Sequence, residues 1–157
     1  MRTGLEDIFG EQISENINLN NNTKEHKRAL VIAAHPDDAD IGVGGTVSKL
    51  ALAGWEIRYL IVTDGSKGTN DINKTHNEVV DIRKKEQINS AFCTGVTDIK
   101  FLGFPDGELN SSKELRRNLV KEIREFRPFT VYTHDPDPII INNQIINHSD
   151  HRVTGLE

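Results

Sequence analysis

The sequence predicts a three-layer α/β domain built on a mostly parallel sheet. Three observations lead there. From Ala29 onward, short and nearly continuous apolar runs recur along the chain, as parallel strands buried on both faces require. Longer segments with apolar residues at helical spacing separate them. Glycines stand where those helices should stop. Right-handed crossovers between successive strands then keep the sheet parallel.

The first strand is Ala29 to Ala34 (ALVIAA). A helix is expected over about 42–53, with Val43, Val47, Leu50 and Leu52 apolar and Gly54 as its stop. Ile57 to Val62 (IRYLIV) is the second strand, and residues 63–70 are a polar loop with two glycines. Thr75 and Glu78 have capping-box spacing and open a long helix to about Thr94, with Gly95 after it. Cys93, beside Ile88, Ala91 and Phe92, reads as a buried helix thiol rather than a nucleophile.

Ile99 to Leu102 is the third strand, followed by the turn signal Pro105-Asp106-Gly107. Ser111 and Glu114 suggest a second capping box, opening a helix with Leu115, Leu119, Ile123 and Phe126 on one face and Pro128 beyond its end. Phe129 to Thr133 is the fourth strand. Residues 134–147 read as a loop containing Pro136 and Pro138. Its isoleucines (139–141, 145 and 146) suit either an exposed apolar contact, for substrate or a second copy in a homo-oligomer, or a loop folded into the core. A last helical segment starts at Ser149.

The 157 residues fit one domain. Residues 1–28, rich in Asn, Glu and Lys, read as a polar N-terminal extension, with a docked helix from Leu5 to Ile17 as the alternative. Residues 29–157 form the domain proper. A net charge of −5 argues against a nucleic-acid surface, which needs clustered Lys and Arg. No apolar stretch is long enough for a membrane span, and no apolar signal core is present. One cysteine and no internal disulfide fit the cytoplasm.

In open α/β sheets ligands bind beyond the carboxyl ends of the strands. That rule gathers residues 35–40, 63–69 and 134–151 on one rim. His35-Pro36-Asp37-Asp38 follows the first strand directly. His35 and Asp38, three apart across a turn, can converge on one ion, and imidazole with carboxylate suits zinc. A catalytic zinc has three protein ligands and an open position for water. His148-Ser149-Asp150-His151 lies on the same rim, and either histidine can complete the set while the other meets the substrate. Each piece alone has a plainer reading. Asp37 and Asp38 can cap the next helix, the two histidines can be surface residues, and Arg83 with Glu86 can be a helix ion pair. Gly42-Val43-Gly44-Gly45 is not a dinucleotide fingerprint, because its last glycine comes too early. These glycines are expected to let the helix pack near the metal loop.

AHPDDADIGVGGT, TDGSKGT, RKKE, FLGFPDGEL and NHSDHRVTG, in this order, resemble the PIG-L/LmbE family of zinc-dependent N-acetylglucosaminyl deacetylases over residues 29–157. The resemblance implies a Rossmann-like fold and an acetylated amino-sugar conjugate as substrate. It implies Zn2+ ligated by His35, Asp38 and His151, with Asp37 as general base toward a zinc-activated water. It implies that His148 steadies the developing oxyanion or protonates the leaving amine, with Asp150 orienting it. Arg83 matches a substrate-binding arginine. Asp106, with Asp64 and Ser66, adds loop candidates for substrate contact. Family members are longer, so the chain is expected to lack the family's C-terminal part. A metal-binding fragment with impaired catalysis is the alternative function.

Overall fold

The computed structural model describes residues 27–142 and 144–157. The expected N-terminal extension and its alternative helix therefore lie almost wholly outside the described residues. Four strands, β1 (Arg28–Ala33), β2 (Glu56–Thr63), β3 (Asp98–Phe104) and β4 (Thr130–Tyr132), form one parallel sheet in the order β3-β2-β1-β4. The helices between them are α1 (Asp38–Leu52), α2 (His76–Cys93) and α3 (Lys113–Phe126), and α4 (Ser149–Leu156) follows.

The strand pleat sorts the core into two halves. Ala29, Val31, Ala33, Tyr59 and Ile61 face one side, packing with Val47 of α1 and Ala91 of α2. Leu30, Ile32, Leu60 and Val62 face the other, with Leu115, Leu119 and Phe126 of α3. Alternate residues of one strand point to opposite faces, so both faces must be covered and three layers result. The interior positions of β1 and β2 are 5% exposed or less, apart from Arg58. Arg58 reaches Asp98 and buried Glu122, and its guanidinium lies over the Phe126 ring.

Several local expectations change. α1 begins at Asp38, four residues before the expected start. Its first turn, Asp38-Ala39-Asp40-Ile41, has two aspartates of low helix preference and no apolar repeat to mark it. A Cβ at Gly42 or Gly45 would meet nothing within 4 Å, and one at Gly44 only ordinary contacts, so close packing does not demand glycine there. The Thr75–Glu78 capping box forms as read. For α3 the cap is Ser112, not Ser111: its extended backbone lets its hydroxyl accept from the Leu115 N–H. Cys93 ends α2 and is exposed, not buried.

The isoleucine segment forms a two-stranded antiparallel hairpin, β5 (Ile140–Ile141) with β6 (Ile145–Ile146). Its isoleucines stay outside the core, with Ile146 80% exposed. Buried Asn147 closes the loop through bonds to the Asp135 and Pro138 carbonyls.

The strand order fixes where a site can form. The chain runs outward from β1 through β2 to β3, then crosses back to place β4 on the other side of β1. The switch point, where such sheets open a crevice, therefore lies beyond the carboxyl ends of β1 and β4. A cleft of about 210 Å³ opens there, lined by Asp38, Ile41, Tyr132, His134 and His151 among others.

Candidate metal centre

His35 enters from the end of β1, Asp38 from the first turn of α1 and His151 from α4. Their donor atoms form a nearly equilateral triangle. His35 Nδ1 is 3.2 Å from Asp38 Oδ2 and 3.1 Å from His151 Nε2, and His151 Nε2 is 3.2 Å from Asp38 Oδ2. An ion bound tetrahedrally through bonds of about 2.0–2.1 Å separates its ligands by about 3.3 Å. The triangle has that size, and its two nitrogens and one carboxylate oxygen are a donor set for a divalent metal.

Asp38 is held to this task twice over. The same oxygen accepts the His35 backbone N–H at 2.8 Å. Burial opposes its ionisation, but the histidines around it, His151 and His35 at hydrogen-bond distance, outweigh burial and hold the carboxyl well below the usual range. For His35, burial opposes the charged form, yet Asp38, Asp106 and Asp150 together raise its pKa above the ordinary histidine value.

The second nitrogen of His35 meets two carboxylates. Nε2 lies 3.2 Å from Asp106 Oδ1 and 3.2 Å from Asp150 Oδ2. Asp150 is fully buried and also accepts the Gly107 and Leu109 N–H groups. Its side chain therefore supports His35, not His148 as expected. The link to His148 runs through the backbone: Asp150 N–H donates to His148 Nδ1 at 3.2 Å, capping α4. In neutral His148 this bond leaves the proton on Nε2. Exposed His148 stands edge-on to His35 with ring centroids 4.7 Å apart.

Asp106 is 7% exposed, and its carboxylate bonds to His35 and the Lys67 N–H rather than facing open solvent. Asp64 Oδ1 accepts the Ser66 and Asp106 N–H groups, tying the two neighbouring loops together, while Ser66 is nearly buried. His35, Asp106 and His148 form a second set of donors close enough for one ion.

Asp37 stands in the N-cap position of α1, with φ 95° and no side-chain capping bond. Such a conformation costs a residue other than glycine about 1–3 kcal/mol. The carboxylate instead turns outward, 3.2 Å from Arg83 Nη2. Burial raises its pKa above the ordinary carboxylate value, against the opposing charge of Arg83. Arg83 also donates to the Pro36 carbonyl. Gly68 makes room for the guanidinium, which a Cβ there would strike.

One residue escaped the sequence reading. His134, just past β4, accepts the Ala34 N–H on Nε2 at 3.0 Å, lies 3.5 Å from Asp38 Oδ2 and stacks on His151 at 4.2 Å. It stands outside both His/Asp clusters, and its strand-end position was the only signal available.

A model of the PIG-L family, GlcNAc-PI de-N-acetylase, matches residues 30–156. The chain belongs to the PIG-L family. Diacetylchitobiose deacetylase from Thermococcus kodakarensis is 37% identical over 153 residues, which is 97% of this chain and 55% of that protein. A solved structure of N,N′-diacetylchitobiose deacetylase from Pyrococcus horikoshii, bound to an inhibitor, superposes with a TM-score of 0.77 at 37% identity. It covers 99% of this chain and 57% of the other. A probable N-acetyl-alpha-D-glucosaminyl L-malate deacetylase from Bacillus anthracis is 28% identical over 137 residues, covering 84% of this chain and 58% of that protein. The chain thus spans a little over half the length of the relatives it matches. Among the described residues, no helix is long and apolar enough to cross a membrane.

Proposed function

We propose that this PIG-L chain serves a zinc-dependent N-deacetylase that removes acetate from an N-acetylglucosamine conjugate. The observation that carries the reading is the donor triangle of His35, Asp38 and His151 at the sheet's switch point, with Asp37 next to Asp38 in the chain and His148 edge-on to His35. The relatives' names supply the substrate class, and N,N′-diacetylchitobiose is the first compound to test.

Zinc held by the triangle would supply a Lewis acid that polarises the amide carbonyl and acidifies water. The chain's own groups account for the protons. Asp37 takes one from the attacking water: it adjoins Asp38 in the chain but stands outside the donor triangle, which leaves its carboxylate available as base. His148 donates a hydrogen bond from its Nε2–H to the developing oxyanion, and the proton taken up by Asp37 passes to the departing nitrogen. The amide C–N bond breaks, and the products are acetate and a free amine. Asp150 and Asp106 keep His35 oriented from behind. Arg83 borders a cleft of about 260 Å³ shared with Asp37, Glu86 and Ser90, a polar wall suited to sugar hydroxyls.

The test is amine release from N,N′-diacetylchitobiose by the zinc-loaded chain, with Asp37→Ala as control. Asp37→Ala should keep the metal and lose about 10²–10⁴-fold in rate. Full activity of that variant would remove Asp37 as base. Because the chain covers little more than half of its relatives, a second reading is a metal-binding fragment with impaired catalysis. Its mark is one bound zinc per chain with no amine released.

A further inference from the structure

Helix α2 grips the turn that carries Asp37 at two positions one helical turn apart. Arg83 and Gln87, at i and i+4, lie on the same face. Arg83 holds the Pro36 carbonyl and the Asp37 carboxylate. Gln87, 2% exposed, is satisfied at both ends of its amide. Its Oε1 accepts the Asp37 N–H at 2.7 Å, and its Nε2 donates to Asp40 Oδ2 at 2.8 Å. Only one amide orientation works, since a flip would set donor against donor at Asp37 and acceptor against acceptor at Asp40.

An aspartate at a helix N-cap ordinarily folds its carboxylate onto the helix's free N–H groups. Asp37 does not: it has φ 95°, ψ −32° and no capping bond. Its N–H is taken up by Gln87, and its side chain remains 57% exposed beside the cleft. A buried neutral amide thus holds the backbone of the turn while a charged group holds the side chain.

We propose that Gln87 is a positioning residue for the general base, fixing the turn in its positive-φ form so that the Asp37 carboxylate stays off the α1 N-terminus and free for proton transfer. This inference rests on the reading of Asp37 as base. Gln87 touches no reacting atom, and its effect passes through Asp37.

The experiment is a double-mutant cycle on the full zinc-loaded chain with N,N′-diacetylchitobiose. Gln87→Met removes both amide bonds at similar volume. It should keep zinc stoichiometry and KM while lowering kcat by about 10- to 100-fold, the scale of a misplaced group. In an Asp37→Ala background the same change should cost nothing further. A crystal structure of Gln87→Met should show Asp37 relaxed to negative φ with its carboxylate capping α1. Unchanged kcat in Gln87→Met overturns the inference, as does an equal loss in both backgrounds or an unmoved Asp37. A fully active Asp37→Ala is a separate outcome that overturns the base assignment and this inference with it. If Gln87→Met does not fold, Gln87→Leu replaces it, removing the same two amide bonds with a shorter apolar side chain. The same loss confined to kcat is expected there, and an unchanged kcat again overturns the inference.

Discussion

The Asp150 carboxylate lies 3.2 Å from His35 Nε2, across the imidazole from the nitrogen that faces Asp38 and His151. A buried carboxylate in that position fixes the ring's orientation and makes its other nitrogen a better donor to a metal. Asp150→Asn should therefore lose about 10–100-fold in zinc affinity or activity while the chain stays folded. Competition with a chromogenic chelator measures the affinity, and an unchanged value would show the contact to be incidental.

Removing a proposed ligand should have a larger effect than removing its support. His151→Ala leaves two donors, and stoichiometric zinc should be lost on dialysis. Metal analysis after gel filtration provides the readout. Zinc retained at one per chain would point instead to the neighbouring set of His35, Asp106 and His148.

Gly155 places α4 against the β4 loop. A Cβ there would overlap the His134 carbonyl. Gly155→Ala should be destabilising, because overpacking costs about 1–3 kcal/mol and alanine's helix advantage returns only about 0.5–1 kcal/mol. Since α4 carries His151, zinc affinity should fall together with the melting temperature. A higher melting temperature with unchanged affinity would contradict the close approach.

Asp64 supplies a pH dependence away from the proposed metal ligands. Burial opposes its ionisation, but the Ser66 and Asp106 N–H groups and His76 outweigh it and lower its pKa below the ordinary value. A depressed carboxyl contributes stability that is present above its unfolded pKa of about 3.9 and is lost as pH falls through its folded value. Asp64→Asn should flatten the acid limb of the stability curve below about pH 4. Denaturant midpoints from pH 6 downward test this, and parallel curves for both proteins would refute it.

The sequence was most legible where residues declare their structure locally. The apolar runs at Ala29 and Ile57 give strands, and Thr75 with Glu78 gives a helix start. The candidate donor triangle was partly readable: HPDD sets His35 and Asp38 three residues apart, while the choice of His151 over His148 came from the family resemblance. Relationships set by packing were not readable. Asp150 looks like a partner for its neighbour His148, yet α4 turns its side chain inward to His35, a residue 115 positions away. Gln87 reads as one more polar residue in a charged helix, and only the approach of the Pro36–Asp37 turn gives it a task. His134 carries no motif at all.

The return of the chain from β3 to the far side of β1 has a consequence for biogenesis. His35 and Asp38 leave the ribosome early, but His151 follows more than a hundred residues later. A nascent chain synthesised as far as β4 offers only two of the three proposed donors. Zinc capture at this triangle would therefore report the docking of α4 against the sheet, and a chain in which α4 has not docked would compete poorly for the metal.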